Sequence, residues 1–371
     1  MPGTSRLRTG LKVLCAWALI LGAGLAGSEF YARRAPDHMS ELDKLKVYNR
    51  GPAEPRPRYF FKPGLRMARR GGRLVPAASG ERPFWSSNSW GFRGAEFDVK
   101  KPSGTLRIVC LGASTTEGAQ GDEETYPYYL QEALRSRYPR RTIEVINAGH
   151  HAQNMDDLHA LLKLRVLPLE PDVVIVYEAA NNVDFSEFMP SLGCKMWVGT
   201  NHCVESAYPG WLRPLRRRSS LFRIFEERFG LAPMPHPFDD KGPKPGLQRY
   251  GDALRRVVMD ARRAGTRVIL SSFIVAPHEG LEASIERDTP LWRDIHRHYY
   301  PLSMAELERV FDAYNARSRT VAAELKVPYA DVAAEFPKEA RYFPYDIMHL
   351  GPEGNKILAG IFARFLEKKV L

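Results

Sequence analysis

Cysteine is scarce in this sequence, with four residues in 371. So low a count excludes a small disulfide-stabilised scaffold, and no CxxC or HExxH string indicates a metal site. No segment repeats with a period of 20–50 residues, which excludes solenoids and propellers. The apolar fraction of 44% and the charged fraction of 26% are ordinary for a globular protein, so extensive disorder is excluded as well.

Acidic residues are too few to balance the basic ones, and the imbalance lies at one end of the chain. The formal net charge is +11, and residues 1–100 carry 18 Lys+Arg against 8 Asp+Glu. The remaining residues carry 36 against 35. Enzymes of nucleic acid usually carry their basic surface on the folded domain that reads the polymer. A nearly neutral body therefore argues against a nucleic-acid partner.

The N-terminus has the features of an export segment. Arg6, Arg8 and Lys12 precede the uncharged residues 13–27 (VLCAWALILGAGLAG). This run is shorter than the ~20 residues of a membrane-spanning helix, and the sequence Gly24-Leu25-Ala26 resembles a small-residue cleavage site. Over residues 1–27, a cleaved signal peptide and a retained signal anchor both stay open, as does a buried helix of a cytosolic protein. Either export interpretation places the body in the periplasm or outside the cell, anchored to the membrane or secreted.

Residues 28–104 are rich in Pro, Gly and Arg and show no sustained amphipathic period. We therefore predict an extended or lightly folded basic arm. One interpretation of this arm is a solvated linker. The other is a basic patch attracted to anionic headgroups or acidic glycan.

From residue 105 onward, signals for strands and helices alternate. Short apolar runs typical of buried parallel strands occupy residues 106–112, 143–149, 172–178, 267–273 and 327–332. Amphipathic segments separate them, including one with a capping box at Ser303 and Glu306, and a last helix begins near Pro352. This alternation predicts an α/β fold, a three-layer α/β/α sandwich with a five-stranded parallel sheet in flavodoxin-like order.

Residues 185–246 break the alternation. They contain aromatic, Pro and Arg residues without a clear strand, so we predict an insertion over the edge or top of the sheet within the domain at 105–371. Cys194 and Cys203 lie close together in this insertion and could close a small loop in an oxidising compartment. Two unpaired thiols are the alternative.

Polar side chains follow the first and third predicted strands, where active sites of parallel sheets gather. Ser114, in the string GASTTEG, can present its hydroxyl at the sheet edge and its backbone N–H to an oxyanion. Asn181, in the string AANN, can donate its amide N–H to the same oxyanion. A helix N-cap and a turn residue are the alternatives for these two residues.

The most specific signal lies near the C-terminus, in the string DIMHLGPEGN at residues 346–355. Asp346 stands three residues before His349, a spacing at which a carboxylate can orient an imidazole and support its positive charge. An imidazole held in this way can accept the proton of a serine. Because the string also starts a helix, both side chains are predicted on a loop at the edge of an element.

These blocks together resemble the SGNH hydrolase family, the GDSL-like lipases and esterases, over roughly residues 105–371. The resemblance implies that Ser114 is the nucleophile, that Asp346 and His349 are the acid and the base, and that Asn181 serves the oxyanion. It also implies that the backbone N–H of Ala152 serves the oxyanion, five residues after Asn147. The string SNSWGFRG at 87–94 is similar to the segment that precedes this domain in membrane-anchored bacterial members.

Two positions depart from the family pattern, because Ala152 and Ala179 stand where the family has Gly. Alanine keeps the backbone N–H, so the oxyanion donor survives if the backbone angles allow a Cβ. The α/β-hydrolases are excluded, since no Gly follows Ser114 at the spacing of their GxSxG string and their acid is generally far from the His.

The resemblance predicts a serine esterase that hydrolyses acetyl or short acyl esters through an acyl-enzyme, with an ester of a glycan, lipid or small molecule as substrate. It implies no cofactor and no metal. The first alternative is an O-acyltransferase or deacetylase that acts on envelope polysaccharide with the same residues. The second is a non-catalytic envelope or glycan-binding protein on the same fold. The sequence does not specify an oligomeric state.

Overall fold

The computed structural model describes residues 46–48, 59–189, 211–219, 222, 238–287, 289–295, 299 and 302–371. The predicted export segment and both partners of the predicted disulfide, Cys194 and Cys203, lie outside the described residues, as does most of the predicted insertion. Cys110 lies within them as a free, buried thiol. In the part of the chain that is described, no helix has both the length and the apolar character to cross a bilayer.

The described chain alternates strands with helices after residue 104. The strands are β1 (Lys46–Tyr48), β2 (Tyr59–Phe61), β3 (Arg66–Arg70), β4 (Arg73–Pro76), β5 (Trp85–Ser86), β6 (Thr105–Gly112), β7 (Thr142–Gly149), β8 (Val173–Tyr177), β9 (Arg267–Ser271) and β10 (Tyr329–Ala330). The α-helices are α1 (Ser114–Glu117), α2 (Tyr126–Arg137), α3 (Met155–Leu161), α4 (Arg213–Arg218), α5 (Pro245–Arg263), α6 (Leu281–Ser284), α7 (Pro290–Asp294), α8 (Met304–Leu325), α9 (Val332–Glu335) and α10 (Pro352–Lys369).

Five parallel strands form the central sheet, in the order β10-β9-β8-β6-β7. Numbered from β6 along the chain, this is the order 2-1-3-4-5 of a flavodoxin-like sheet. Strand β8 is buried at all five positions, as a strand covered on both faces requires. The predicted three-layer α/β/α fold with a five-stranded parallel sheet is therefore confirmed.

The helices pack in two groups around this sheet. Helix α2 packs against α10, and α5 packs against both α3 and α8. The predicted capping box is present at the start of α8, where the Ser303 hydroxyl accepts the backbone N–H of Glu306. Helix α10 begins at Pro352 as predicted, since proline needs no hydrogen-bond partner at the first turn of a helix.

Residues 59–104 are not a solvated linker, so this interpretation of the predicted arm is wrong for its second half. Strands β3, β4 and β5 form an antiparallel sheet in the order β4-β3-β5. Gly71 and Gly72, both at positive φ, make the two-residue turn between β3 and β4 that such a hairpin needs. A small core forms beside it, from Tyr59, Phe61, Met67 and Trp85. Strands of two to five residues are too short to show an amphipathic period, so the sequence of this segment does not predict them.

The small core around Phe61 is joined to the larger domain through His150, which follows β7. The His150 ring is fully buried and stacks on Phe61 with a centroid distance of 5.0 Å, and Phe92 lies edge-on at 5.7 Å. Burial lowers the pKa of His150 to about 4, so the ring is neutral at ordinary pH. A neutral aromatic ring suits this apolar environment, and it connects the small core around Phe61 to the carboxyl edge of the parallel sheet.

Within the predicted insertion, residues 185–189, 211–219, 222 and 238–246 are described. They contain the 3₁₀ turn Phe185–Phe188, helix α4 and the start of α5, and these described residues form no strand. The boundaries predicted for the insertion stay a prediction.

Candidate active site

Ser114 is the first residue of α1, directly beyond the carboxyl end of β6. Helix α1 rests on the ends of β6 and β7 with almost no clearance. A Cβ at Gly112 would lie 2.1 Å from Thr116 Oγ1, and one at Gly149 would lie 2.0 Å from Glu117 N. The two strand-end glycines therefore let the helix sit on the sheet edge, where it presents the Ser114 side chain at the surface.

The structure brings Ser114, His349 and Asp346 together in the predicted order. His349 Nε2 lies 2.8 Å from Ser114 Oγ, and His349 Nδ1 lies 2.5 Å from Asp346 Oδ2. Asp346 Oδ1 accepts the backbone N–H groups of Met348 at 2.8 Å and His349 at 2.7 Å. A hydrogen-bonded chain therefore runs from a serine hydroxyl through an imidazole to a carboxylate that is fixed by its own loop.

The charges around the imidazole favour its protonated form. Burial alone would lower the pKa of His349, but the charge and hydrogen bond of Asp346, with the charges of Asp294 and Glu117, raise it above its usual value. Burial would raise the pKa of Asp346, and His349 together with the two backbone N–H groups holds it below its usual range. Asp346 is therefore ionised at neutral pH and can stabilise an imidazolium.

Asn181 lies on the 3₁₀ turn Ala180–Asn182, beyond the carboxyl end of β8. Its Nδ2 donates to the carbonyl oxygen of Gln153 at 3.0 Å, which ties the turn to the loop after β7. An amide carries two N–H donors, so one stays available to a ligand. The nearby Ala179 has a negative φ of −147°, so the backbone there does not use the left-handed conformation that favours Gly.

Ala152 lies in the same loop after β7, with a backbone φ of +57°. This left-handed conformation favours Gly and strains a residue with a Cβ. The backbone here keeps the conformation that the family's Gly would suit. Alanine at residue 152 therefore adds backbone strain to the loop but keeps the backbone N–H.

Replacing Ala152 by Gly is expected to raise the free energy of unfolding by roughly 1 kcal/mol, because the left-handed conformation no longer strains a Cβ. Urea unfolding measures this change. Lys326, at φ of +53° beyond the end of α8, is a matched control away from the site, and Lys326→Gly should stabilise the protein to a similar extent. A destabilised Ala152→Gly protein beside a stabilised Lys326→Gly protein would contradict the expectation.

Glu178 is a neighbour of the site that the sequence reasoning missed. Its carboxyl is buried, and Oε1 accepts the backbone N–H of Asn181 at 2.7 Å. Burial raises the pKa of Glu178 to about 8, against the opposing effects of the Asn181 and Ala113 N–H groups and the charge of His349. A glutamate placed directly after the apolar strand VVIVY is the signal that could have identified it.

Asp294, at the end of α7, was also missed. Its Oδ2 accepts the backbone N–H of Ile347 at 3.0 Å, beside Asp346 in the loop that carries His349. No motif surrounds Asp294 in the sequence, and only the fold brings it to this loop. Among the described residues, no group of three His, Cys, Asp or Glu side chains could hold a metal ion.

The raised pKa of His349 predicts a pH dependence for any reaction in which the imidazole accepts a proton. Because only the neutral ring can do so, the rate should fall tenfold per pH unit below a pKa that lies above 6.5. The pH profile of kcat/KM with p-nitrophenyl acetate measures this value. A profile that stays flat down to pH 5 would show that His349 is not the group that accepts the proton.

A model of the GDSL-like lipase/acylhydrolase family matches residues 110–357 of the chain. Among solved structures, an acetylxylan esterase from Geobacillus stearothermophilus is 18% identical, with a TM-score of 0.42 over 70% of this chain and 94% of that one. A lipase/acylhydrolase from Enterococcus faecalis is 14% identical, with a TM-score of 0.42 over 71% of this chain and 96% of that one. No curated protein matches the sequence.

The family match covers all three sequence blocks that meet at this site, those of Ser114, Asn181 and Asp346 with His349, and it ends within the last helix. It begins in β6, four residues before Ser114, and it includes both Asp346 and His349. It covers well over half of the chain. The protein therefore belongs to the GDSL-like lipase/acylhydrolase family, the SGNH hydrolases, and is a hydrolase that acts on ester bonds.

Proposed function

We propose that this protein is a serine esterase that uses Ser114 as its nucleophile and forms an acyl-enzyme. The observation that carries the proposal is the hydrogen-bonded chain from Ser114 Oγ through His349 to Asp346 Oδ2. In a serine–histidine–carboxylate triad, one ring nitrogen of the imidazole must accept the serine proton, and the other must donate to the carboxylate. Both conditions are met by the distances of 2.8 and 2.5 Å.

In the first half of the reaction, Ser114 Oγ attacks the acyl carbon and His349 Nε2 accepts the hydroxyl proton. The negative charge on the carbonyl oxygen is stabilised by the N–H groups of Ser114 and Ala152 and by the side chain of Asn181. When the bond to the leaving alkoxide breaks, His349 returns its proton to that oxygen. The alcohol leaves, and the acyl group stays on Ser114.

In the second half, a water molecule replaces the alcohol. His349 removes a proton from the water, whose oxygen attacks the acyl carbon, and the same donors stabilise the second oxyanion. The bond between the acyl carbon and Ser114 Oγ breaks, and the proton moves from His349 to the serine oxygen. A free carboxylic acid and the starting enzyme result, and no step calls for a cofactor.

A fluorophosphonate tests the proposal, because it forms a stable bond with an activated serine. The full-length protein is incubated with the probe, digested and analysed by mass spectrometry, and the label is expected on the peptide that contains Ser114. Ser114→Ala should take no label. Ser86→Ala is the matched control, because Ser86 donates to a carboxylate, Asp122 Oδ2 at 2.5 Å, without an imidazole. A folded wild-type protein without label would contradict the proposal.

For the substrate we propose an acetyl or short acyl ester of a glycan or a lipid, with the enzyme placed in the periplasm or outside the cell by residues 1–27. The support is the basic, then apolar sequence of that segment and the basic residues that follow it. A panel of p-nitrophenyl esters from acetyl to dodecanoyl, with acetylated sugars and phospholipids, tests the first part. Cell fractionation of the full-length chain tests the second, and a wholly cytosolic protein would contradict it.

A further inference from the structure

The string SNSWGFRG, at residues 87–94, lies before the part of the chain that the family model matches, yet it reaches the candidate active site. Its turn is closed by Asn88, whose Oδ1 accepts the backbone N–H groups of Trp90 and Phe92, each at 3.0 Å. Gly91 allows this turn with a φ of +80°, and a Cβ there would lie 3.0 Å from the Phe61 carbonyl oxygen. Arg93 follows this turn, and its side chain points into the protein interior.

The Arg93 guanidinium is buried and makes four hydrogen bonds. Its side chain is 1% exposed, and Nε lies 2.9 Å from Asp122 Oδ1. Nη1 donates to the carbonyl oxygen of Glu117 at 2.6 Å and to that of Gly118, and Nη2 donates to the carbonyl oxygen of Gln120. One planar cation therefore holds one carboxylate and three backbone carbonyls of the segment 117–122.

Two of those carbonyls belong to the end of α1, the helix that begins with Ser114. A helix of four residues is too short to be stable alone, and its last carbonyls have no partners within the helix. The helix C-terminus also carries partial negative charge, which a cation stabilises. Arg93 supplies both the hydrogen bonds and the charge, so the placement of Ser114 depends on it.

Arg93 is also linked, through Gln120, to the loop that carries His349. Gln120, whose carbonyl oxygen Arg93 binds, donates its side-chain Nε2 to the carbonyl oxygen of Leu350, the residue after His349. Its Oε1 accepts Nδ2 of Asn355, on the first turn of α10, at 3.1 Å. Arg93 therefore fixes a turn that is bonded to the loop of His349 as well as to the helix of Ser114.

We propose that Arg93 is a positioning residue for this active site, which holds Ser114 Oγ and His349 Nε2 at hydrogen-bonding distance through α1 and Gln120. Its hydrogen bonds go to Asp122 and to backbone carbonyls, and none of these bonds goes to Ser114, His349 or Asp346. The kinetic readout of this role rests on the proposed esterase function. Arg93 itself lies outside the family match at residues 110–357.

The test compares Arg93→Met, which keeps the length of the side chain without its donors, with Arg82→Met in the full-length protein. Arg82 is the matched control: it also pairs with a carboxylate of the neighbouring turn, Glu123, but its side chain is 72% exposed. A misplacement of about 1 Å in a reacting group can cost about 10²-fold in rate. We therefore expect Arg93→Met to lower kcat and the rate of fluorophosphonate labelling by about 10²-fold with KM little changed.

Arg82→Met should keep both rates within about twofold of wild type, because an exposed ion pair contributes little. Arg93→Lys should recover part of the lost rate, since an ammonium group restores the charge and some donors but not the planar fork. A role in stability alone predicts a lower Tm with unchanged kcat at low temperature, and this result would overturn the proposal. If Arg93→Met does not fold, a folded Arg93→Lys protein with wild-type kcat overturns it equally.

A spectroscopic readout separates this proposal from the esterase function. The proton on His349 Nδ1, which faces Asp346, is expected to give a downfield NMR signal that shifts or broadens in Arg93→Met and not in Arg82→Met. If wild type shows neither label nor turnover but this signal moves, the esterase proposal fails and the positioning role stands. An unmoved signal in a folded Arg93→Met protein overturns the positioning role.

Discussion

Replacing Asp346 by Asn is expected to lower kcat by about 10⁴-fold while the fold stays intact. The reason lies in the two backbone N–H groups, of Met348 and His349, that point at Asp346 Oδ1. They require an oxygen at that position, so the amide nitrogen of the variant must face His349 Nδ1. An N–H group there leaves Nδ1 as the acceptor and puts the ring proton on Nε2, where it blocks proton transfer from Ser114.

Steady-state kinetics with p-nitrophenyl acetate measure the loss, and circular dichroism checks the fold. Asp294→Asn is the matched control, because Asp294 Oδ2 accepts one backbone N–H of the same loop and its charge also raises the pKa of His349. That variant should lower the pKa in the pH profile and reduce kcat by no more than about tenfold. Equal losses in the two variants would show that Asp346 acts only through the charge it adds.

Replacing Asn181 by Ala is expected to lower kcat by about 10²- to 10³-fold, the usual cost of one lost oxyanion donor. KM should change little, because the donor matters most when the carbonyl oxygen carries charge. The same substitution also removes the Nδ2 bond to the Gln153 carbonyl oxygen, so kinetics must be read beside a thermal unfolding curve. Both effects come from one amide group, and only the kcat loss persists at low temperature.

Asn182→Ala is the control for the loss of structure at this turn. Asn182 Oδ1 accepts the backbone N–H of Met155 at 3.1 Å, so its removal loosens the contact of the turn with α3 without removing a proposed donor. We expect a lower Tm and a kcat within about tenfold of wild type. A larger loss of kcat for Asn182→Ala than for Asn181→Ala would contradict the assignment of Asn181 to the oxyanion.

The sequence predicts the parallel sheet well because each strand is a local apolar run, and it predicts strand ends less well. The run ending at residue 273 was predicted as strand, but β9 ends at Ser271. Beyond it, the backbone N–H of Phe273 binds Asn315 Oδ1 on α8 at 2.7 Å, and this side chain takes the place of a strand partner. Such a replacement depends on a residue more than forty positions away, which no local pattern records.

The residues of the candidate site also fall into two groups, those that a local string predicts and those that only the fold brings together. Asp346 and His349 are three residues apart, so their relation is visible as a local string. The supporting residues are harder to predict, since Arg93, Glu178 and Asp294 reach the site from the loop after β5, the end of β8 and a short helix, and only Glu178 stands beside a recognisable strand. Each makes bonds to backbone atoms near the site. Backbone atoms have the same chemistry at every position, so the sequence does not indicate these contacts.

The close contact between α1 and the ends of β6 and β7 also limits how far sequences related to this one can diverge. A side chain at residue 112 or 149 would have to lift the helix off the sheet edge and carry the nucleophile with it. Residues 152 and 179 tolerate alanine, as this chain itself demonstrates. In a search for distant relatives, or in a randomised library of this protein, the two strand-end glycines should therefore vary least, even where the string around the serine no longer reads GDS.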